Sequence, residues 1–274
     1  MILGVKRNTR SSTVDSTKYN QRTWDGMVEA GNKWTQPVSA ETIAAARTGD
    51  WQIVLTPFKP VPRPWFPQRL DDCSVLCLAS GGGQQAPIMA AAGADVTVLD
   101  ASPNQLGQDE RVAARDGLDL TTELGDMRDL SRFDDGAFDL IVHPASNMFV
   151  ESVLPVWKEA ARVLKPGGSL LSGMANPVEY MFDLAAWEQG RLEVRHRIPY
   201  SDVRDLDPTE LKTLLLDQDE PVSYGHTLHD LIQGQIDAGF ILAGFYEDKL
   251  GDGPLDAYID SYFATRAIKL DPGA

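Results

Sequence analysis

The chain has 274 residues, 43% hydrophobic and 24% charged, enough for one large α/β domain with an elaboration or for two small domains. Its formal charge of −15, from 25 Lys and Arg against 40 Asp and Glu, opposes a polyanionic partner, because nucleic-acid binders need a basic footprint. No apolar run approaches the roughly 20 residues of a membrane span, and MILGVKRNTR lacks the apolar core of a signal peptide, so a cytoplasmic protein with no membrane partner is expected.

Residues 1–70 read as an N-terminal lid or extension, polar at first and then rich in proline and tryptophan. The first 15 or so are expected to be mobile. NQRTWDGMVEAG (20–31) sets Trp24, Met27 and Val28 at helical spacing on one apolar face. SAETIAAARTG (39–49) has a helix start in Ser39, with Glu41 close behind, and a glycine stop. KPVPRPWFPQ (59–68) suits neither helix nor central strand and reads as an extended connector.

Residues 71–274 are expected to form the main domain, and 71–175 alternate regularly. SVLCL (74–78) is a continuous apolar run, a strand buried on both faces. Residues 84–92 suit a helix and DVTVL (95–99) a second strand. Ser102 and Pro103 supply a cap and a first-turn proline for a helix reaching about 116. Strands near 118–124, at FDLIV (138–142) and at SLLSGM (169–174), with a helix at about 152–164, complete the series. Such alternation implies a parallel sheet with right-handed crossovers, a doubly wound α/β fold. A charged insertion at about 176–225 follows, then a helix near 228–238. The last strand candidates, GFILAGFYE (239–247) and SYFATRAIKL (261–270), have a short connection that suits antiparallel pairing.

Two features carry chemistry. Gly81, Gly82 and Gly83 follow the first strand, where glycine permits a tight turn and close approach of a ligand, and the next helix offers unpaired N–H groups. Asp100 ends the second strand, beside the first, so its carboxylate can accept hydrogen bonds from two vicinal ribose hydroxyls. Together they point to a ribose-bearing cofactor. Gly81, Gly83 and Ala86 satisfy G-x-G-x-x-G/A, so a nicotinamide dinucleotide is one answer. Cys73 and Cys77 form half of a radical-cluster signature, but Ser80 stands where its third thiolate belongs, which rejects the cluster. HTLH (226–229) pairs two histidines without clustered carboxylates, and no metal is expected.

The glycine loop and Asp100, followed by GDMRDLSRFDDGAFDLIVHPASNMFV (125–150) and VLKPGGSLL (163–171), resemble the class I S-adenosylmethionine-dependent methyltransferases over about residues 70–175. The resemblance implies a Rossmann-like, seven-stranded, mainly parallel sheet whose final strand is antiparallel, with S-adenosylmethionine as cofactor. It implies that Gly81 and Gly83 line the methionine moiety, with Ser80 and Gly82 supplying loop backbone. Asp100 then holds the ribose, Ala101 lies beside adenine, and Asp126 and Met127 meet the adenine edge and face. His143 falls where the family contacts the methionine part or the substrate. The family's acid within strand one is Cys77 here and its first loop glycine is Ala79, which leaves the methionine ammonium to another partner.

Transfer from a sulfonium is an in-line displacement in which positioning and desolvation supply most of the rate. A base is required only for a poorly ionised hydroxyl or a protonated amine, and His143 and His226 are the candidates. Class I enzymes close their sites with residues before strand one and after strand five, here Tyr19, Trp24, Asn32, Lys33 and Trp34, and residues 180–224. Trp24, Trp34 and Asn147 are the expected substrate contacts. PASNMF (144–149) lacks the Pro-Pro-aromatic string of nucleobase amino methyltransferases, which favours a small-molecule methyl acceptor and no nucleic-acid partner. Two alternatives stand beside this one. One is a nicotinamide-dependent oxidoreductase or an aminopropyl transferase on the same fold; the other is a protein that binds S-adenosylmethionine without turnover.

Overall fold

The computed structural model describes residues 15–271, so the mobility expected of residues 1–14 lies outside the described residues. Helix α1 (Ser16–Glu29) is capped by Asp15, whose Oδ1 accepts from the Lys18 N–H. Its buried residues are Asn20 and Thr23 rather than Trp24, Met27 and Val28, a correction to the apolar face read from the spacing. The cause is a paired amide contact: Asn20 Nδ2 donates to Val222 O, and the Val222 N–H donates to Asn20 Oδ1, both at 2.9 Å. Helix α2 (Ala40–Arg47) starts on Ser39, whose Oγ accepts from the Thr42 N–H, and buries Ile43 and Ala46. The proline-rich connector is drawn into the same core, where Val61, Trp65 and Phe66 join Ile43 and Leu55.

Strand β1 (Ser74–Leu78), α3 (Gln85–Ala91), β2 (Asp95–Asp100), α4 (Pro103–Asp116), β3 (Thr121–Leu124), β4 (Phe138–His143), α5 (Leu154–Val163) and β5 (Leu164–Ala175) follow the alternation of the sequence. β5 starts earlier than SLLSGM: Leu164 already pairs with Phe138 across a register shift, so KPGG is an irregular entry to the strand. Asp139 Oδ2 pins that entry, accepting from Lys165 Nζ at 2.8 Å and the Ser74 N–H at 2.9 Å. The insertion holds a 3-10 turn (Pro177–Met181), α6 (Leu184–Glu188) and a small antiparallel pair, β6 (Tyr200–Ser201) with β7 (Tyr224–Gly225). A π turn (His229–Gln233) runs into a helical turn (Gly234–Asp237) before β8 (Phe240–Asp248) and β9 (Tyr262–Lys269).

Seven strands form one sheet in the order β3-β2-β1-β4-β5-β9-β8. β9 runs antiparallel to both β5 and β8, and β1 to β5 pair in parallel, as the doubly wound reading expects. Alternate side chains of β1 feed opposite layers. Val75 and Cys77 pack with Met89 and Val98, whereas Leu76 and Leu78 pack with Ile141 and Trp157. The strand order reverses between β1 and β4, which places the ligand crevice of such a sheet at their carboxyl ends.

Candidate functional site

A cavity of about 290 Å³ lies at those carboxyl ends, lined by residues that follow β1, β2 and β4. Its floor is the bend between β1 and α3. Ala79, Gly82 and Gly83 take left-handed conformations, with φ of 47°, 116° and 71°. The Ala79 N–H donates to Leu99 O at 2.7 Å and the Gly81 N–H to Asp100 Oδ2 at 2.9 Å. A Cβ on Gly81 would stand 2.7 Å from Gln105 Cβ, and one on Gly83 would stand 2.8 Å from Pro37 Cβ. Protein packing thus demands the glycines, with α4 on one side and residues 34–37 on the other. Ser80 and Gly81 line the cavity. Gly82 and Gly83 are buried away from it, which corrects the expectation that Gly83 lines a ligand.

One half of the cavity is polar. Asp100, Ala101, Asp126 and Met127 form its wall. Asp100 accepts from Gly81 through Oδ2 and from the Ser102 N–H through Oδ1, the latter at 2.9 Å, and each oxygen keeps further acceptor capacity. Burial pushes this carboxyl upward, against the opposing effect of those backbone bonds. Asp126 also loses solvation, but hydrogen bonds from Arg128, including Nε to Oδ1 at 2.9 Å, outweigh that loss and hold it below the usual carboxylate range. Arg128 reaches on to Thr17 Oγ1 at 3.1 Å. Ser102 caps α4 and donates to Asp25 Oδ1 at 2.6 Å, so α1 is tied across this half at two points. Thr17, Asn20, Gln21 and Trp24 of α1 complete the lining here.

The other half is apolar. Leu55, Pro57, Met148, Phe149, Leu250 and Tyr262 are among its lining residues, and among the described residues no Lys or Arg lines the cavity. Trp24 meets Phe149 edge to face, ring centroids 5.4 Å apart, where the halves join, and Trp34 also lines the space. Thr56 and Ser146 spend their hydroxyls on protein acceptors, Asp248 Oδ2 at 2.8 Å and Pro144 O at 2.9 Å. Residues 54–57 reach this position because Gly173 on β5 has no side chain: a Cβ there would lie 1.9 Å from Leu55 O. That same carbonyl accepts from the Ala145 N–H at 2.9 Å.

Both histidines stand outside the lining, which corrects their assignment as bases. His143 is fully buried, its Nδ1 2.8 Å from Leu78 O and its ring edge-on to Trp157 at 6.0 Å. Burial drives its pKa down to about 4. His226 is buried with Nε2 3.0 Å from Asn147 O, and desolvation lowers it as well. Asn147, expected to touch substrate, is buried too and donates from Nδ2 to Gly173 O at 3.0 Å. These three side chains brace the backbone behind the cavity. Residues 180–224 supply no lining either. They support α1 from behind, where Tyr19 Oη donates to Glu220 O at 3.1 Å and Ser16 Oγ lies 2.7 Å from Tyr224 Oη. Lys33 lies 3.9 Å from Asp252 and over the Trp34 ring. Sequence reading missed Leu55, Leu250 and Tyr262, which no motif marks. It also missed Asp109, a lone acid on the buried face of α4 among Leu106 and Val112.

Comparison with known proteins gives the family. A family described as a methyltransferase domain matches residues 76–172. The uncharacterized methyltransferase YbaJ of Bacillus subtilis (strain 168) is 55% identical over 252 residues, covering 92% of this chain and 98% of that protein. A ubiquinone biosynthesis O-methyltransferase of Xanthomonas oryzae pv. oryzae is 29% identical over 56% of this chain and 70% of its own. Among solved structures, an S-adenosylmethionine-dependent methyltransferase from Mesorhizobium loti superposes with a TM-score of 0.57 at 21% identity, over 76% of this chain and 95% of that one. Geranyl diphosphate C-methyltransferase from Streptomyces coelicolor A3(2) gives 0.56 at 14% identity, over 95% of this chain and all of its own. At such identities these two structures speak for the fold alone.

Proposed function

This chain belongs to the class I S-adenosylmethionine-dependent methyltransferases, and from that premise we propose that it methylates an uncharged, largely apolar small molecule. The observation that carries the proposal is the two-part cavity, a carboxylate-bearing wall at one end and, at the other, an apolar wall with no Lys or Arg among the described residues. The polar half suits the cofactor. Asp100 has acceptor capacity on both oxygens for a ribose diol, Asp126 and Met127 flank the adenine position, and Ser80 and Gly81 form the floor under the methionine part. When bound, the cofactor supplies an electrophilic methyl group on sulfur.

The protein's part is to hold the acceptor in line with that methyl and to keep water out, where positioning can be worth roughly 7–11 kcal/mol. Trp24 and Phe149 stand at the junction of the halves and supply rigid apolar contact. An anionic acceptor would lose solvation in the apolar half, where no Lys or Arg of the described residues lines the wall to pair with it. A cavity of about 290 Å³ matches the lower end for small-ligand sites, which run from roughly 300 Å³ upward. The similarity to an enzyme named for O-methylation in ubiquinone biosynthesis supports a small-molecule acceptor.

The test offers methyl-labelled cofactor to matched acceptors, a neutral phenol against the corresponding benzoate, alongside RNA and unfolded protein. Label should enter the neutral small molecules. Incorporation into polymer alone, or a preference for the carboxylate, would defeat the acceptor assignment while leaving the family untouched.

A further inference from the structure

We infer that Asp109 of α4 positions the glycine bend as a neutral carboxylic acid, standing in from a helix for the carboxyl group that β1 lacks at Cys77. This rests on the proposed placement of the cofactor over the bend. Asp109 is completely buried and accepts from the Gly82 N–H at 3.1 Å through Oδ2. Gly82 also donates to Gln105 O at 3.0 Å, so α4 grips the left-handed part of the bend with backbone and side chain together. The remaining carboxyl oxygen, Oδ1, has no hydrogen-bond partner, and neither do the buried Oε1 atoms of Gln105 and Gln108 on the same helix. Gln105 Oε1 lies 3.1 Å from where a Cβ of Gly82 would be, beside the residue that Asp109 holds.

Unpaired buried acceptors on one helix are costly, and a proton on Asp109 would turn one of them into a donor. A protonated carboxyl also escapes the repulsion of the Asp100 carboxylate. Two titratable groups near Asp109 favour this form. Asp100, at the end of β2, repels a second carboxylate; Cys77, on β1, is a buried thiol that burial keeps protonated. Burial is the largest influence on Asp109 and pushes it up to about 8, against the Gly82 and Gly83 N–H groups. The cysteine and the aspartate are therefore linked. A small neutral thiol in β1 leaves the place under the bend to a carboxyl from α4.

Two measurements test the inference. Calorimetry with S-adenosylhomocysteine at pH 7 and pH 9 is run on the wild type, Asp109→Asn and Asp109→Ala. An asparagine amide keeps both bonds of a neutral acid, accepting through oxygen and donating through nitrogen. Asp109→Asn should bind within about threefold of the wild type at pH 7, whereas Asp109→Ala should lose about tenfold. Between pH 7 and 9 the wild type should weaken by a further several-fold that Asp109→Asn does not share. Thermal unfolding without ligand is the second readout. A carboxyl raised in the fold stabilises most at low pH and loses that contribution as pH rises from about 4 to about 8. Asp109→Asn should therefore gain on the wild type across this range. An Asn variant that fails to fold, binds as poorly as the Ala variant, or follows the wild type's pH course overturns the inference. A folded wild type that does not bind at pH 7 counts instead against the cofactor placement, and the unfolding series then decides the state of Asp109 alone.

Discussion

Asp100 makes two backbone hydrogen bonds and still faces the cavity, so its removal acts twice. Asp100→Ala should weaken S-adenosylhomocysteine binding by about 1–3 kcal/mol, the range for leaving paired donors without an acceptor, as read by calorimetry. An unchanged binding constant in a folded variant would remove the ribose assignment. His143 bears on stability rather than chemistry. Its folded pKa of about 4 lies below the free value of 6.5, so the unfolded chain binds the proton more readily. Stability is then complete above about 6.5 and declines as pH falls toward 4, by about 3 kcal/mol for a shift of this size. Urea midpoints at pH 7 and pH 4.5 should fall more steeply for the wild type than for His143→Asn, whose neutral amide has no such proton to gain. Turnover near neutral pH should show no ionisation traceable to His143. The two residues explain what sequence could reveal at this scale. A carboxylate at the tip of a parallel strand is aimed at the crevice by topology alone, so Asp100 was legible. An imidazole two strands away was not, because the turn of its ring depends on Leu78 O and Trp157, neither of which is near it in sequence.

Helix α1 crosses the cofactor half of the cavity, and its attachment is local enough to break separately. Asn20 bonds both backbone groups of the fully buried Val222. Asn20→Ala would leave a buried N–H and a buried C=O without partners, at about 1–3 kcal/mol each. Amides of residues 16–29 should exchange with solvent faster by hydrogen exchange, while those of β1 and β4 keep their protection. Cofactor affinity should fall too, because Thr17, Gln21 and Trp24 lose their anchor. Uniform acceleration through the sheet would show instead that α1 is integral to the fold. Elements of this kind are only half legible. The spacing of Trp24, Met27 and Val28 announces a helix, but which side is buried depends on residue 222, some two hundred positions away. Continuous apolar runs left no such freedom to β1 and β4, whose neighbours on both faces must be apolar. The entry of β5 misled for a similar reason, since KPGG looks like a turn until Asp139 and Phe138 pair with it.

Across the whole molecule, the cavity draws its lining from well-separated parts of the chain: α1 and Trp34, residues 54–57, the strand ends from Ala79 to Val150, and Leu250 with Tyr262. A ligand spanning it bridges segments that are otherwise joined only through the core, so binding should register as global stability. At a ligand concentration of one hundred times Kd the linkage contributes about 2.7 kcal/mol. In a chain of this length each kcal/mol is worth roughly 2 °C in Tm, so S-adenosylhomocysteine should raise the midpoint by roughly 5 °C. NAD shares the adenosine but ends in a phosphate-linked second nucleoside. It would bring a pyrophosphate to a cavity whose lining holds Asp100 and Asp126 and, among the described residues, no Lys or Arg, in a chain of net charge −15. Its effect on the midpoint should be below 1 °C by the same linkage, because negligible binding gives negligible shift. Differential scanning calorimetry with the two ligands at equal concentration reads both outcomes in one experiment. An equal shift from NAD would mean that the charge of the cavity does not exclude a dinucleotide. A shift from S-adenosylhomocysteine alone ties the acidic lining, free of Lys and Arg among the described residues, to the S-adenosyl cofactor and makes rejection of the pyrophosphate by cavity charge, rather than the glycine pattern, the basis of the choice.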